Sequence, residues 1–301
     1  MPEVELTPGT VEYQDTGGDG PVLVLLHGLF MDGTVWRKVV AELRGEYRCI
    51  LPTLPLGAHR RPMRPDADLS MPGLARLIGE FLERLDLRDV TLVFNDWNGA
   101  PAMAEQGLLD RVARLGLVAC EAFDNYPPGV PGRIVDVVSR VPRGLGLAGA
   151  LWLFASVPAV RRAPGGFGWL SKRPVPREVA DGWFHSGSRG AQAGLIRRDL
   201  LKYTRSVPSH RELLSWTGRL ADFPGRVLVV WAEEDRMMPH EHGPRLAALC
   251  KDARLVWVSD SYTLVPEDRP DALVTALREF VPRPGTGESA ADERAAAPET
   301  D

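Results

Sequence analysis

Asp96 stands in Asn95-Asp96-Trp97-Asn98-Gly99, directly after the apolar and β-branched run Val90-Thr-Leu-Val-Phe94 and just before Pro101-Ala-Met-Ala-Glu-Gln106. A run with strand propensity followed at once by small, helix-forming residues reads as strand, sharp turn and helix. A carboxylate at such a turn is held out of the sheet at a helix start, where the N-terminal N–H groups face developing negative charge. It can act there as a nucleophile or as an acid–base group, or Asn95 or Asp96 can simply cap the helix. Two more carboxylates follow apolar runs in the same way. Glu121 follows Leu115-Gly-Leu-Val-Ala-Cys120, and Asp235 lies in Ala232-Glu-Glu-Asp235-Arg-Met-Met-Pro239 after Arg226-Val-Leu-Val-Val-Trp231. Carboxylates clustered in an apolar pocket have raised and split pKa values, which suits them to acid and base roles.

The elements needed to position these groups are legible in the hydrophobic pattern. Val4-Glu5-Leu6 and Val11-Glu12-Tyr13, separated by Thr7-Pro8-Gly9, predict an antiparallel hairpin. Val22-Leu-Val-Leu-Leu26 is a continuous apolar strand of the kind buried on both faces of a parallel sheet. Tyr47-Arg-Cys-Ile-Leu51 and Ala253-Arg-Leu-Val-Trp-Val258 predict further strands. Met71 to Leu87 places Leu74, Leu77, Ile78, Phe81, Leu82 and Leu85 at helical spacing, and a second amphipathic helix runs from Asp271 to Val281. Strand and helix alternating in this order demand an α/β fold with a mostly parallel, twisted sheet and helices on both faces. From Pro127 to Ala221 the pattern is helical, punctuated by Pro and Gly.

Composition narrows the class of protein. With 44% hydrophobic and 25% charged residues in 301, the chain has the balance of a globular enzyme, and a net charge of −4 argues against a nucleic-acid partner. Met1-Pro-Glu-Val-Glu-Leu6 does not read as a secretory signal, so the expected location is the cytoplasm. Cys49, Cys120 and Cys250 show no disulfide or metal spacing. Neither a metal nor an organic cofactor is called for, since a Cys/His ligand cluster and a Gly-rich phosphate loop are both missing from the sequence. The apolar stretch Leu145 to Val160 is too short for a membrane span and is broken by Ser156 and Pro158. It also lacks a polar face rich in Lys or Arg, so it reads as a buried or pocket-lining helix rather than an interfacial one.

Taken together, the Asp96 turn, His27-Gly28 at the end of the Val22 strand, and the Asp235 loop resemble the α/β-hydrolase superfamily. The Asp-Trp pair resembles the nucleophile elbow of its haloalkane dehalogenase and epoxide hydrolase branch. The resemblance covers Val4 to Val281. It implies a core domain in two parts, 1–126 and 222–282, with a helical cap over 127–221; residues 283–301 are expected to be a disordered tail. It implies Asp96 as nucleophile, Asp235 as the acid that orients a base, and backbone N–H groups of Leu29 and Trp97 as an oxyanion hole, with His27 and Gly28 opening that loop. Phe30, Trp152, Trp183, Tyr126 and Tyr203 become candidate substrate-binding residues. Tyr126 and Tyr203 correspond loosely to the two cap tyrosines with which epoxide hydrolases protonate the epoxide oxygen.

Two departures bear on function. In Ser259-Asp-Ser-Tyr-Thr-Leu-Val-Pro-Glu-Asp-Arg-Pro270, counting back from Pro270 puts Thr263 where the family has its catalytic His. Loss of such a base typically forfeits about 10²- to 10⁴-fold, so an unmodified mechanism stalls at the ester. His240, or His242 beside it, is the nearest substitute base in sequence, and Glu121 is an alternative acid. Second, Leu29 stands where dehalogenases often have a halide-binding Asn, leaving Asn95 or Asn98 as substitutes, and Asn98 occupies a place where the elbow favours Gly. Three functions follow. The first is an Asp-nucleophile hydrolase acting on a hydrophobic alkyl halide, epoxide or ester-like electrophile. The second is a non-hydrolytic isomerase, lyase or cyclase on the same scaffold, and the third is a catalytically silent ligand-binding homologue. In each the partner is a small hydrophobic molecule; oligomeric state is not legible.

Overall fold

The computed structural model of the protein describes residues 1–282. Its centre is one eight-stranded sheet: β1 (Glu3–Leu6), β2 (Gly9–Asp15), β3 (Val22–Leu26), β4 (Arg48–Pro52), β5 (Val90–Asp96), β6 (Val112–Cys120), β7 (Arg226–Ala232) and β8 (Ala253–Val258), in the spatial order β1-β2-β4-β3-β5-β6-β7-β8. Strands β3 to β8 run parallel, while the β1–β2 hairpin adds to β4 antiparallel. The apolar runs of β3, β5, β6 and β7 are buried because helices cover both faces.

Helices α1 (Arg37–Leu43), α2 (Met71–Arg84) and α3 (Ala100–Glu105) belong to the first part of the core. Ser70 caps α2 by accepting the Gly73 N–H, and its Leu74, Leu77, Ile78, Phe81 and Leu82 stripe faces the sheet side of the core. Between β6 and β7 the regular elements are all helical: α4 (Gly129–Arg140), α5 (Leu145–Ser156), α6 (Pro158–Arg161), α7 (Arg177–Ser188), α8 (Ala193–Arg205) and α9 (His210–Gly218), with two short 3-10 turns. This excursion, called the cap below, leaves β6 at the carboxyl edge of the sheet, the edge at which such sheets carry their ligands, and the chain re-enters the parallel strand β7 at the opposite edge. Helices α10 (His242–Leu249), α11 (Val265–Asp268) and α12 (Pro270–Phe280) complete the core. The expected disordered tail lies outside the described residues.

Buried polar pairs pin cap to core. Asp268 accepts the amides of Lys172 and Arg173 and the Ser171 hydroxyl, at 2.7–2.9 Å. Asp199 on α8 accepts the Met63 amide at 2.7 Å and lies 3.3 Å from His59 Nε2. Trp183 Nε1 donates to Thr34 Oγ1 at 2.8 Å. Satisfied in this way, buried carboxylates specify one seating of the cap. Of the two expectations for helix α5, buried or pocket-lining, it meets the second: Leu147, Ala150, Leu151 and Phe154 line the cavity described below, while Leu145 and Trp152 are 64% and 58% exposed. Among the described residues no helix is long and apolar enough to cross a membrane.

Candidate active site

Strand β5 ends in a strained turn. Asp96 has φ +66°, a left-handed conformation that costs a non-glycine residue energy and is kept only where the surroundings enforce it. The register with β6 shifts at Asn95/Asp96, so the turn lifts Asp96 off the ladder. Both flanking asparagines brace it. Asn95 Nδ2 donates to the carbonyls of Val118 (2.9 Å) and Thr263 (2.7 Å), while Asn98 Nδ2 donates to Glu121 O (2.9 Å) and its Oδ1 accepts the Ala100 amide (3.0 Å). Asn95 spends both amide hydrogens on carbonyls and neither asparagine is among the cavity wall residues, which corrects the suggestion that one of them holds a halide.

The strand-end loop after β3 meets this turn at Gly28. A Cβ there would lie 1.9 Å from Asp96 Oδ2, so only glycine lets the loop approach. The next amide, Leu29 N–H, donates to the Asp96 carboxylate. His27 does not face the site. Its Nε2 accepts the Leu54 amide at 2.9 Å, which leaves the proton on Nδ1 to donate to Gly28 O at 2.8 Å. Burial holds its pKa below the ordinary imidazole value, so it stays neutral and serves as a clasp between two loops. His27 opens the loop and takes no place among the cavity wall residues.

Asp96 and Glu121 line the same cavity. Burial pushes the Asp96 pKa up to about 7; the Leu29 amide opposes the rise and the charge of Asp235 adds to it. Burial and the Asp96 charge push Glu121 well above the carboxylate range, against the pull of the Asn98 backbone N–H on its carboxylate. Among the described residues Glu121 Oε2 has no hydrogen-bond partner. Burial and mutual repulsion thus favour the two carboxyls sharing a proton over both being ionised. Tyr126 lines the cavity and Tyr203 is buried behind it. Burial raises both phenols, with Glu121 adding to the rise at each, and the indole of Trp97 lies against the Tyr203 hydroxyl. Trp97 is buried and is not among the cavity wall residues.

On the β7 side, Asp235 Oδ1 accepts the amides of Met237 (2.8 Å) and Met238 (3.0 Å) and the Thr263 hydroxyl (2.8 Å), while Oδ2 has no partner. Burial lifts its pKa to about 6 despite those donors. Thr263 is thus seated on the acid, and its hydroxyl cannot act as a base near neutrality. The histidines do not replace it. His240 is exposed and stacks on Trp257 with ring centroids 4.2 Å apart, and His242 lies edge-on to Phe123 at 5.0 Å. His59 faces Asp199, and His185 and His210 are on the outer surface of the cap. None of the six lines the cavity, which corrects the assignment of His240 as substitute base.

The cavity measures about 110 Å³. Its floor is Leu29, Phe30, Asp96, Glu121 and Tyr126, and its roof is apolar, including Leu147, Leu151, Phe154, Phe167 and Phe184 of the cap. A model of the alpha/beta hydrolase family matches residues 23–276. The chain belongs to the alpha/beta hydrolase family. A haloalkane dehalogenase from Mesorhizobium japonicum is 33% identical to this hydrolase over 100 residues, 33% of this chain and 32% of that one. Epoxide hydrolase 2 from Caenorhabditis elegans is 23% identical over 306 residues, covering 92% of this chain and 79% of its own. Among solved structures, an alpha/beta hydrolase fold protein from Burkholderia ambifaria superimposes with a TM-score of 0.71 at 24% identity, over 92% of this chain and 97% of that one.

Of the residues read from the hydrolase motifs, Leu29, Phe30, Asp96, Glu121 and Tyr126 come together around the cavity. Asp235 and Thr263 meet each other beside it. Trp152 and Trp183 do not reach it: the first projects into solvent, and the second is spent on joining cap to core. Phe154 and Phe184, legible in the sequence as cap aromatics, reach the cavity, and sequence reasoning missed Phe167, which joins them with tilted rings 5.4–5.8 Å apart between centroids. It also missed the part Asn98 plays as brace; an Asn two residues after Asp96 and two before the helix start was the available signal. Among the described residues no group of three His, Cys, Asp or Glu side chains is arranged to hold a metal ion.

Proposed function

We propose that the protein hydrolyses a small apolar epoxide by way of an ester on Asp96, with Glu121 doing the proton work that the family assigns to its histidine. The observation that carries this reading is that Asp96 and Glu121 lie together on the floor of one apolar cavity, with Tyr126 beside them and burial raising the pKa of both carboxyls. In the first step an Asp96 oxygen bonds to an epoxide carbon, the carbon–oxygen bond of the ring breaks, and the Glu121 proton passes to the released oxygen. Tyr126 supports that oxygen by hydrogen bonding. Glu121, now ionised and no longer facing a charged Asp96, has a lower pKa and becomes the base. It takes a proton from a water that attacks the Asp96 ester carbon, and the amides of Leu29 and Trp97 receive the charge on the carbonyl oxygen. Collapse breaks the ester bond, the alkoxide takes the second water proton, and a diol leaves with Asp96 ionised and Glu121 protonated.

An alkyl halide is a poorer fit, because Leu29 supplies no side-chain donor and the Trp97 indole faces Tyr203 instead of the cavity. The same two carboxylates support a second reading, proton transfer in a non-hydrolytic isomerisation, favoured by the distance of every imidazole from the site. Single turnover of a panel of apolar epoxides in H₂¹⁸O separates the two. The hydrolytic route puts the label into the Asp96 peptide and leaves the first product molecules unlabelled. Turnover with label in neither sinks it in favour of isomerisation, and label in the product alone points to direct attack by water.

A further inference from the structure

Twelve large hydrophobic side chains are exposed among the described residues, and all except Met1 lie on the cap: Val130, Ile134, Val137, Val141, Leu145, Trp152, Leu153, Val157, Leu195, Val207 and Leu214. This is not the scatter of single apolar residues expected on a globular surface. Val130, Ile134, Val137 and Val141 recur at steps of three and four along α4, and α5 continues the strip through Leu145, Trp152 and Leu153. Gly165 fits against Ile134, so the strip adjoins the cavity roof. Ile134 and Val207 are both exposed and part of the cavity wall, which places the mouth within this surface.

Charge says what covers it. Residues 127–221 carry 15 Lys and Arg against 5 Asp and Glu, whereas 1–126 and 222–282 together carry 19 against 30. The chain's small net charge hides two opposed halves. Arg133 and Arg140 fall on the same side of α4 as the valines, seven residues apart, and Arg143 and Arg162 flank α5 and α6. Among the described residues Arg133, Arg143 and Arg162 have no carboxylate within ion-pair distance, and Asp136, paired with Arg140, is the one acidic residue between 127 and 162. The Lys- or Arg-rich polar face missing from the Leu145 to Val160 segment is supplied by its neighbours. Exposed aliphatic and Trp side chains interleaved with unpaired arginines are the features that seat a surface in the headgroup region of an anionic bilayer.

We propose that the face formed by α4, α5 and the turn between them docks on an anionic lipid surface, with the cavity mouth turned toward the acyl region so that apolar substrate enters from the bilayer. This is independent of which chemistry the carboxylates perform. The occupant follows from the charge: a second copy of the chain would set one basic face against another.

Flotation of the full chain with phosphatidylcholine vesicles, with and without phosphatidylglycerol, tests it. The expected result is partition onto the anionic vesicles only, weakened by salt. Substitution of Arg133, Arg143 and Arg162 by Ser lowers partition about fivefold for each, and Val137→Ser, Leu145→Ser and Trp152→Ser together lower it at least tenfold. All six positions lie at the surface or its edge, and an unchanged melting temperature shows that the variants fold. Absence of partition, equal partition onto neutral vesicles, or variants that bind like the parent overturns the proposal. So does self-association in sedimentation equilibrium that the same apolar substitutions abolish.

Discussion

The floor and the roof of the cavity are built on opposite principles. The floor is polar, strained and held by main-chain atoms: Asp96 at φ +66° takes the Leu29 amide, Glu121 takes the Asn98 amide, and the asparagines on either side are tied to carbonyls. The roof is apolar and turns a hydrophobic, arginine-rich back to solvent. Such a division separates chemistry from access. Groups that must keep a geometry within a fraction of an ångström sit on strand ends, and groups that select and admit a ligand sit on helices joined to the core by a few buried polar contacts.

The sharpest break of this comparison falls on the floor. Asp96→Asn removes the attacking oxygen, and turnover of an epoxide substrate should fall by about 10⁴-fold or more, read by product formation. Glu121→Gln removes both the proton for ring opening and the base for ester breakdown, so turnover should fall by roughly 10²- to 10⁴-fold, read by product formation. If both variants turn over like the parent, the chemistry is not on the floor.

Stability responds next. Because burial raises Asp96 from 3.8 to about 7, the folded state holds its proton more tightly than the unfolded chain does. The resulting stabilisation is fully present below about pH 4 and is lost as pH rises through about 7. Asp96→Asn should therefore flatten the pH dependence of unfolding and leave the variant roughly 2–4 kcal/mol more stable than the parent at pH 8. Denaturant unfolding from pH 4 to pH 8 measures this; a variant that gains nothing at high pH contradicts the burial argument. Gly28→Ala forces a Cβ onto Asp96 and should cost about 1–3 kcal/mol by displacing the loop, visible as a lower melting temperature. The roof yields the smallest effects, and there two tryptophans should differ. Trp183→Phe loses the bond to Thr34 and should cost about 1 kcal/mol, whereas Trp152→Ser should stay within about 0.5 kcal/mol of the parent.

Reading the chain in one dimension succeeded where a signal is local. Continuous apolar runs marked β3, β5, β6 and β7, and three- and four-residue spacing marked α2, because burial on two faces or on one stripe leaves that pattern in any sequence. The same logic located the turn at Asp96 and the loop at Asp235. It failed for side chains whose partners are distant in sequence. His27 and His240 looked available as site residues, yet the first is clasped by Leu54 and the second lies on Trp257. Helix α5 was read as buried or pocket-lining because it is almost wholly apolar, although which face is covered depends on what else packs there.

The sequence by itself determined the alternating architecture and the helical excursion between β6 and β7, since each is written in residue type and spacing along the chain. Only the tertiary structure decided that Glu121 shares a cavity with Asp96, that no imidazole reaches them, and that the cap gathers the exposed apolar and basic residues on one side. Those facts depend on which strand ends and helix faces are brought within a few ångströms of each other, and on how far water is excluded where they meet. Burial and charge coupling are properties of that packing, and neither can be read from the order of residues alone.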